Sequence, residues 1–472
     1  MEKINWYEEV VKRKDALLKD TIRLIQVKSE LDEEHATVDA PLGKGVLDAL
    51  LFMLNKGKEA GFKTKNVDQL AGHIEFGEGE ESVGILCHVD VVPAGEGWTF
   101  PPYEGVIQDG KLFGRGALDD KGPTMAAFYA MKIVNELNLP LSKRIRMIIG
   151  TDEESKWRCV EHYFQKEEMP TVGFAPDADF PIIFAEKGIA DLDLIYKGKK
   201  SLPTTNGYEV IEFHSGKRYN MVPDSAEAVI AYRENPEAIT ERFADYLKSE
   251  SVQGKIHMDE NRMTLTIQGK AAHAMEPNDG VNAGLYLASF LSKERIDEKA
   301  APFFSFIHKY MFQDSRGEKL QIDCKDDLMG DLTMNVGILS YQKDTGGKIG
   351  LNFRYPASCC MDEVKEKISE IGTNAHFRLG HFSDSKPHHV DPNDPLIQTL
   401  QQVYEKQTRN RAELLAIGGG TYARSLKSGV AFGPLFPGKA DVAHQRDEYI
   451  DVDDLLKATA IYAEAIYELA KA

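Results

Sequence analysis

Seven side chains able to ligate metal lie scattered along this chain. His88 and Asp90 are in ILCHVD, Asp119 in GRGALDDKGP, Glu153 and Glu154 in TDEES, Asp177 in APDADFP, and His444 near the far end. Two imidazoles with several carboxylates form the ligand set of a pair of hydrolytic divalent metals, which polarise a carbonyl and acidify a water. Convergence of these residues in space would make the chain a metallohydrolase.

Each of them also has an ordinary structural use. In a strand alternate residues share a face, so Gly84, Leu86, His88 and Asp90 lie on one side and Ile85, Cys87 and Val89 on the other. His88 and Asp90 then meet at the strand's exit, where open α/β sheets place their ligands. Asp90 can fix the orientation of a metal-bound imidazole, while Cys87 points away from His88 and makes no nucleophilic pair with it. Asp119 and Asp120 precede KGP at a helix start, where Asp commonly caps. A carboxylate there can also bridge two metals through its two oxygens, and Asp119 is the better candidate.

The chain has five Glu-Glu pairs, at 8, 33, 80, 153 and 167. Only Glu153-Glu154 follows directly on a buried-looking strand and a Thr-Asp turn. Their side chains diverge, so one can hold metal while the other faces the water to be deprotonated. Asp177 and its competitor Asp179 sit in a Pro-Asp turn, where a carboxylate usually caps its own backbone. His444 has weaker surroundings, and His376, His381, His388 and His389 read as surface.

Periodicity supplies the elements that must position these groups. Apolar spacing predicts helices over 5–28 and 45–60, the second ended by Gly61, and strands at 83–89, 145–149 and 172–175. A helix over 123–138 lies between the first two strands, with Pro123 pre-set for its first turn. A helix at 394–406, a glycine turn at 418–421, a strand at 428–432 and a closing helix at 452–470 follow. Strands alternating with helices predict an α/β layer architecture. The ligand candidates form an early block, 88–177, and the lone His444. If they serve one site, the chain leaves the catalytic domain near 185 and returns near 385, through DSKPHHVDPNDP. The expected division is a catalytic domain of 1–185 and 386–472 around an inserted domain of 186–385, long enough to fold independently.

A length of 472 residues exceeds the size at which one core stops growing, so two or more domains are expected. The net charge of -18 argues against nucleic acid, because phosphate binding needs clustered cations. The basic stretches Lys12-Arg13-Lys14 and Lys199-Lys200 are short, sit among acids and read as solvated faces. MEKINWYEEVVKRKDALL has no apolar core of a signal peptide, and no apolar run reaches the ~18 residues of a membrane span. Five cysteines, an odd and sparse count, fit a reducing cytosol rather than a disulfide framework. Adjacent Cys359 and Cys360, in a strand or at its end, point oppositely and form neither a usual disulfide nor a metal knuckle. The expected location is cytoplasmic, without membrane or nucleic-acid partners.

In this order the residues resemble the M20 family of metallopeptidases, and most of all its bacterial dipeptidases. The likeness covers nearly the whole chain. It is carried by ILCHVDVVPAGEGW at 85–98, GRGALDDKGPT at 114–124, MIIGTDEES at 147–155 and GFAPDADFP at 173–181. Further matches are RYNMVPDSA at 218–226, GKAAHAMEPNDGVNA at 269–283, NFRYPAS at 352–358, and IGGGTYARS with FGPLFPGKADVAHQRDEYI within 417–450. No catalytic position of the family pattern is substituted.

The resemblance implies a two-domain α/β fold, in which a catalytic domain with a mixed sheet flanked by helices is interrupted by an α+β lid. It implies that His88 and Asp177 hold one metal, Glu154 and His444 the other, and that Asp119 bridges them. Glu153 would be the general base, with Asp90 orienting His88. From the lid, His273 would contact the oxyanion while Asn220 and Arg354 bind the substrate's terminal carboxylate; Gly419, Gly420 and Thr421 would line the pocket. Two divalent ions per chain are implied; imidazole and carboxylate ligands suit zinc, and Mn and Co also accept them.

The reaction so implied is attack on the peptide bond of unmodified dipeptides by a hydroxide shared between the metals, with broad side-chain tolerance. Lid closure would complete the site, and the enlarged lid favours a monomer. Two alternatives are an N-acyl amino acid deacylase or desuccinylase of the same superfamily, and a non-catalytic protein that holds peptides in a metal-dependent way.

Overall fold

In the computed structural model, which describes residues 4–197, 207–232 and 236–471, the chain divides into two units. One comprises Met1–Ala185, His389–Ala416 and Thr421–Ala472; the other is Glu186–His388 with Ile417–Gly420. Lys199-Lys200 lies outside the described residues.

The centre of the first unit is four parallel strands, in the order Arg144–Gly150, Ser82–His88, Val172–Ala175 and Gly429–Ala431. Antiparallel strands extend the sheet, with Ala71–Phe76 and Lys63–Val67 on one side and Ile182–Glu186 on the other. The sheet is therefore mixed. Every residue of Ser82–His88 is buried, as is all of Arg144–Gly150 after its first residue. That continuous burial is what a strand covered on both faces requires.

The helix Lys121–Glu136 carries the chain from Ser82–His88 to the parallel strand Arg144–Gly150, a connection that needs such a crossover. It begins two residues earlier than Pro123 suggests, with Asp120 preceding it. The closing helix Val452–Ala470 packs along it. Ala126, Ala127 and Ala130 of the first, and Ala458, Ala463 and Ala465 of the second, are fully buried, and such small residues let helix axes approach closely. The expected helix over 5–28 is two, Trp6–Val11 and Lys14–Ile25. Arg13 leaves helical geometry between them, and its guanidinium pairs with Glu9 and Glu136. With Lys12 also on Glu9, this basic triplet is in part neutralised.

The second unit is built on an eight-stranded antiparallel sheet. Its order is Gln253–Met258, Arg262–Gln268, Ser225–Tyr232, Tyr208–Ser215, Thr333–Gln342, Gly346–Tyr355, Gly188–Tyr196 and Phe377–Ser385. Burial alternates along Arg262–Gln268, where Met263, Leu265 and Ile267 join the core and their neighbours do not. The helices Glu237–Ser249, Ala283–Lys293, Ala301–Tyr310 and Met361–Asn374 contribute to the same core, with Met311, Leu320, Ile322 and Leu332 from the connecting segments.

One expectation is corrected here. The sparse cysteine count pointed away from disulfides, yet Cys324 is bonded to Cys359 across a Cα separation of 6.0 Å. Partners 35 residues apart are brought together only by the fold, which a count cannot register. Cys360 remains free and exposed, and Cys87 and Cys159 are free and buried. Among the described residues, no helix is long and apolar enough to cross a membrane.

Candidate active site

Three adjacent parallel strands of the first unit deliver ligand candidates just past their carboxyl ends. His88 closes Ser82–His88, Glu153 and Glu154 follow Arg144–Gly150, and Asp177 follows Val172–Ala175. Ser82–His88 is the middle strand, so His88 lies between the other two loops. The crossover helix starts at the same edge: Asp120 Oδ2 accepts the backbone N–H of His88 at 3.1 Å, which sets Asp119 beside the imidazole. His444 arrives on the loop before Tyr449–Asp451, with a left-handed φ of 62°.

The side chains meet closely. His88 Nε2 lies 3.0 Å from Asp119 Oδ1 and 3.5 Å from Asp177 Oδ2. His444 Nε2 lies 2.9 Å from Asp119 Oδ2 and 3.0 Å from Glu154 Oε2. Ligand atoms of His88, Glu153 and Asp177 fall within 4.8 Å of one another, as do those of His88, Asp119 and Glu154. Ligands ~2.0–2.2 Å from a tetrahedral ion stand roughly 3.3 Å apart, close to these spacings. Asp179 and Asp120 belong to neither group, nor does His444, which reaches the cluster through its contacts with Asp119 and Glu154. Asp179 lies in the short strand Ala178–Asp179 paired with Pro434–Leu435, and Asp120 Oδ2 is taken by His88 and the Thr124 hydroxyl.

The electrostatics of the cluster favour positive charge among its carboxylates. Burial, reinforced by Asp119, pushes the Asp177 carboxyl up to about 7. Burial likewise raises Glu153 well above the usual carboxylate range and raises Glu154 beside Asp119. Hydrogen bonds to Asp119 and Glu154 hold His444 up at about 11. Burial opposes a charge on His88, but Asp177, Asp119 and Asp90 together outweigh it and raise its pKa. So many buried carboxylates repel one another unless positive charge stands among them, and a bound divalent ion reverses the balance. Nitrogen and oxygen donors at these distances fit such an ion.

A second layer of contacts fixes the ligands. His88 Nδ1 lies 3.0 Å from the backbone carbonyl of Asp90 and 3.4 Å from its Oδ1. The Asp90 carboxylate also accepts the backbone N–H groups of Glu153 (3.2 Å) and Glu154 (3.1 Å), so it holds the Glu153-Glu154 turn as well as the imidazole. Three contributors were not evident from the sequence. Glu448, fully buried, accepts the N–H groups of Leu118 and Asp119 through Oε1 and the Arg115 guanidinium through Oε2. The Tyr422 ring stands edge-on to His88 at 5.9 Å, and its hydroxyl is 2.7 Å from Cys159 Sγ. Gly150 permits this, because a Cβ there would lie 2.4 Å from the Tyr422 hydroxyl. The one sequence signal for Glu448 was its place four residues after His444.

The second unit brings together the residues expected to meet substrate. Ala274 donates its N–H to the Asn220 carbonyl at 2.9 Å, and Met221 bridges to His273. The Met275 N–H donates to His273 Nδ1 at 3.1 Å, which assigns the ring proton to Nε2. Burial, and then Arg354, lowers the His273 pKa. Arg354 pairs in register with Thr333, whose hydroxyl donates to the Ala274 carbonyl, and Arg354 Nη1 donates to the Gly418 carbonyl at 3.0 Å. Gly418 is thus the member of the glycine turn that touches this group. Gly419 and Gly420 adjoin it, and Thr421 caps the short turn Tyr422–Ser425 in the first unit. His376, His381, His388 and His389 belong to neither metal-binding group.

A sequence model described as Peptidase family M20/M25/M40 matches residues 84–468. The chain belongs to this family. Over 468 residues it is 52% identical to a Bacillus subtilis protein named "Putative dipeptidase YtjP", covering 99% of this chain and 100% of that one. A Staphylococcus epidermidis protein of the same description is 46% identical, with 98% and 99% covered. The solved structure of human carnosine dipeptidase 1 matches with a TM-score of 0.58 at 14% identity over 98% of each chain. Dug1p, a di-peptidase of Saccharomyces cerevisiae, gives 0.58 at 14% over 98% and 97%. At such identity these structures speak for the fold alone. As an M20 peptidase the protein is a metal-dependent hydrolase of peptide bonds, and the residue groups around His88 are its candidate metal-binding sites.

Proposed function

We propose that this M20 peptidase is a dipeptidase that cleaves unmodified dipeptides with broad side-chain tolerance. The observation that carries most weight is Asp119, whose two oxygens face His88 and His444 separately. In this reading His88 and Asp177 would hold one divalent ion, Glu154 and His444 would hold a second, and Asp119 would serve both. Bound there, zinc or a similar ion would supply Lewis-acid polarisation of the carbonyl and lower the pKa of a water. Glu153 is placed to accept a proton from the attacking water and would return it to the amine nitrogen as the C–N bond breaks. His273 donates from Nε2 to the developing oxyanion, a contribution of ~2.7–4 kcal/mol per donor in other enzymes.

Arg354 and Asn220 take the substrate's terminal carboxylate, for which the guanidinium fork is suited. Recognition of chain ends rather than side chains gives breadth of specificity. The full-length likeness to proteins named as dipeptidases supports the substrate class. A monomer located in the cytoplasm completes the reading.

Chelation followed by add-back of Zn, Mn or Co, assayed on Leu-Ala and N-acetyl-Leu-Ala, tests it. Activity should vanish with the metal, return with at least one ion, and favour the free dipeptide. Full activity in the metal-free protein, or preference for the acetylated substrate, would overturn it.

A further inference from the structure

The strand Gly346–Tyr355 carries two kinds of residue on its two faces. Ile349, Leu351, Phe353 and Tyr355 belong to the apolar core of the second unit. Between them Asn352 and Arg354 are polar, yet only 1% and 5% exposed. The residues in register with Asn352 on the neighbouring strands are Asp191 and Asn335. In-register residues point to the same face, so Asp191, Asn352 and Asn335 form a polar row across the sheet on the Arg354 side. A buried amide is costly unless hydrogen-bonded. Asn352 makes bonds through both ends of its amide, and Asn335 through Nδ2 alone, its buried Oδ1 having no hydrogen-bond partner.

Those bonds run toward the two groups assigned to the substrate carboxylate. Asn352 Nδ2 donates to Asp191 Oδ1 at 2.7 Å, and Asn352 Oδ1 accepts from Arg354 Nε at 3.0 Å. An ionised carboxylate only accepts, so Asp191 takes the amide NH2 and turns the amide oxygen to Arg354. With Nη1 on the Gly418 carbonyl, the guanidinium plane is fixed from two sides. Asn335 acts on the other group. Its Nδ2 donates to the carbonyls of Tyr219 (2.7 Å) and Met221 (3.0 Å), which flank Asn220. The Tyr219 ring lies over Gly350, where a Cβ would stand 2.9 Å from Cε1. Its hydroxyl donates to Asp193 at 2.7 Å and accepts from Lys348 at 3.1 Å.

We propose that Asn352 and Asn335 are positioning residues for a two-part carboxylate clamp, Asn352 orienting Arg354 under the direction of Asp191 and Asn335 orienting Asn220. The inference deepens the dipeptidase reading and rests on it. A row that merely stabilised the sheet would affect all substrates alike. A row that aims the clamp affects only substrates with a carboxylate to be clamped.

The test compares kcat/KM of the metal-loaded enzyme on a free dipeptide and on its C-terminal amide. In Asn352→Leu the preference for the free acid should fall about tenfold or more, as expected for loss of a hydrogen bond to a charged group, with the amide rate held. Asn335→Leu should move the ratio in the same direction. The exchange Asp191→Asn with Asn352→Asp keeps a donor facing an acceptor and an oxygen facing Arg354, so it should restore the wild-type ratio. Equal losses on both substrates, or an exchanged pair whose ratio stays low, overturn the proposal. If Asn352→Leu does not fold, the exchange variant decides alone, by keeping or losing the ratio. A wild-type enzyme without preference for the free acid would instead overturn the dipeptidase reading.

Discussion

Asp119 Oδ2 lies 2.9 Å from His444 Nε2 while the other oxygen of the same carboxylate lies 3.0 Å from His88 Nε2. One side chain therefore joins the beginning and the end of the first unit at a single point. Asp119→Asn keeps the shape but leaves one strong acceptor where two are needed. If two ions are held as proposed, ion content after dialysis, read by elemental analysis, should fall toward one per chain. Activity should drop by about a thousandfold, the scale of several kcal/mol of lost charge stabilisation. Two ions retained at full activity would remove the bridging role.

Glu153 presents a carboxylate near ligand atoms of both His88 and Asp177, so proximity alone allows it to be a ligand or a base. Glu153→Gln separates the two. A base should leave ion content unchanged while kcat falls by about 10²–10⁴, the usual contribution of acid–base catalysis. Loss of one ion in this variant would make Glu153 a ligand instead.

Glu448 holds the Asp119 loop from behind, through the N–H groups of Leu118 and Asp119 and the buried Arg115. Glu448→Gln leaves that guanidinium without its counter-charge, which is strongly destabilising in a buried pair. Ion affinity and kcat/KM are expected to fall about 10–100-fold, as for other residues that orient metal ligands. A chelator-competition titration reads the first and steady-state kinetics the second; unchanged values for both would dismiss the role.

His73, buried in Ala71–Phe76 with Nδ1 2.8 Å from the Tyr163 hydroxyl, has its pKa lowered to about 4 by burial and then by Arg146. The unfolded chain takes up this proton near 6.5 and the folded one only near 4. The folded state therefore binds fewer protons in that window, and stability falls as pH drops through it. The loss is complete below about 4 and is on the order of 3 kcal/mol. His73→Phe should flatten this part of the profile of urea midpoints against pH. Parallel profiles for the variant and wild type would count against it.

The candidate metal-binding cluster was legible to an unequal degree. His88, Glu153 and Glu154 stand out only together and by their place at strand ends, because a strand's apolar run is visible and its end is where side chains become free for chemistry. Context separated Glu153-Glu154 from four other acidic pairs. Asp177 and Asp179 looked alike in sequence, and only the pairing of Ala178–Asp179 with Pro434–Leu435 tells them apart. Glu448, Arg115 and Tyr422 were silent, since an acid, a base and an aromatic have no periodicity that marks contact with residues hundreds of positions away. The bond between Cys324 and Cys359 is equally silent, since a count of cysteines carries no pairing, and the break at Arg13 falls inside a stretch whose apolar spacing runs on through it.

By itself the sequence determined the alternation of strands and helices, the residue types at the strand ends and the family to which their order belongs. These depend on local spacing, which a linear chain displays in full. Tertiary structure alone decided that Asp119 faces two histidines at once, that Glu448 and Arg115 brace it, and that Asp191, Asn352 and Asn335 align behind Arg354. Each of those relations is set by strand register and helix docking, where one residue of slip turns a side chain to the opposite face.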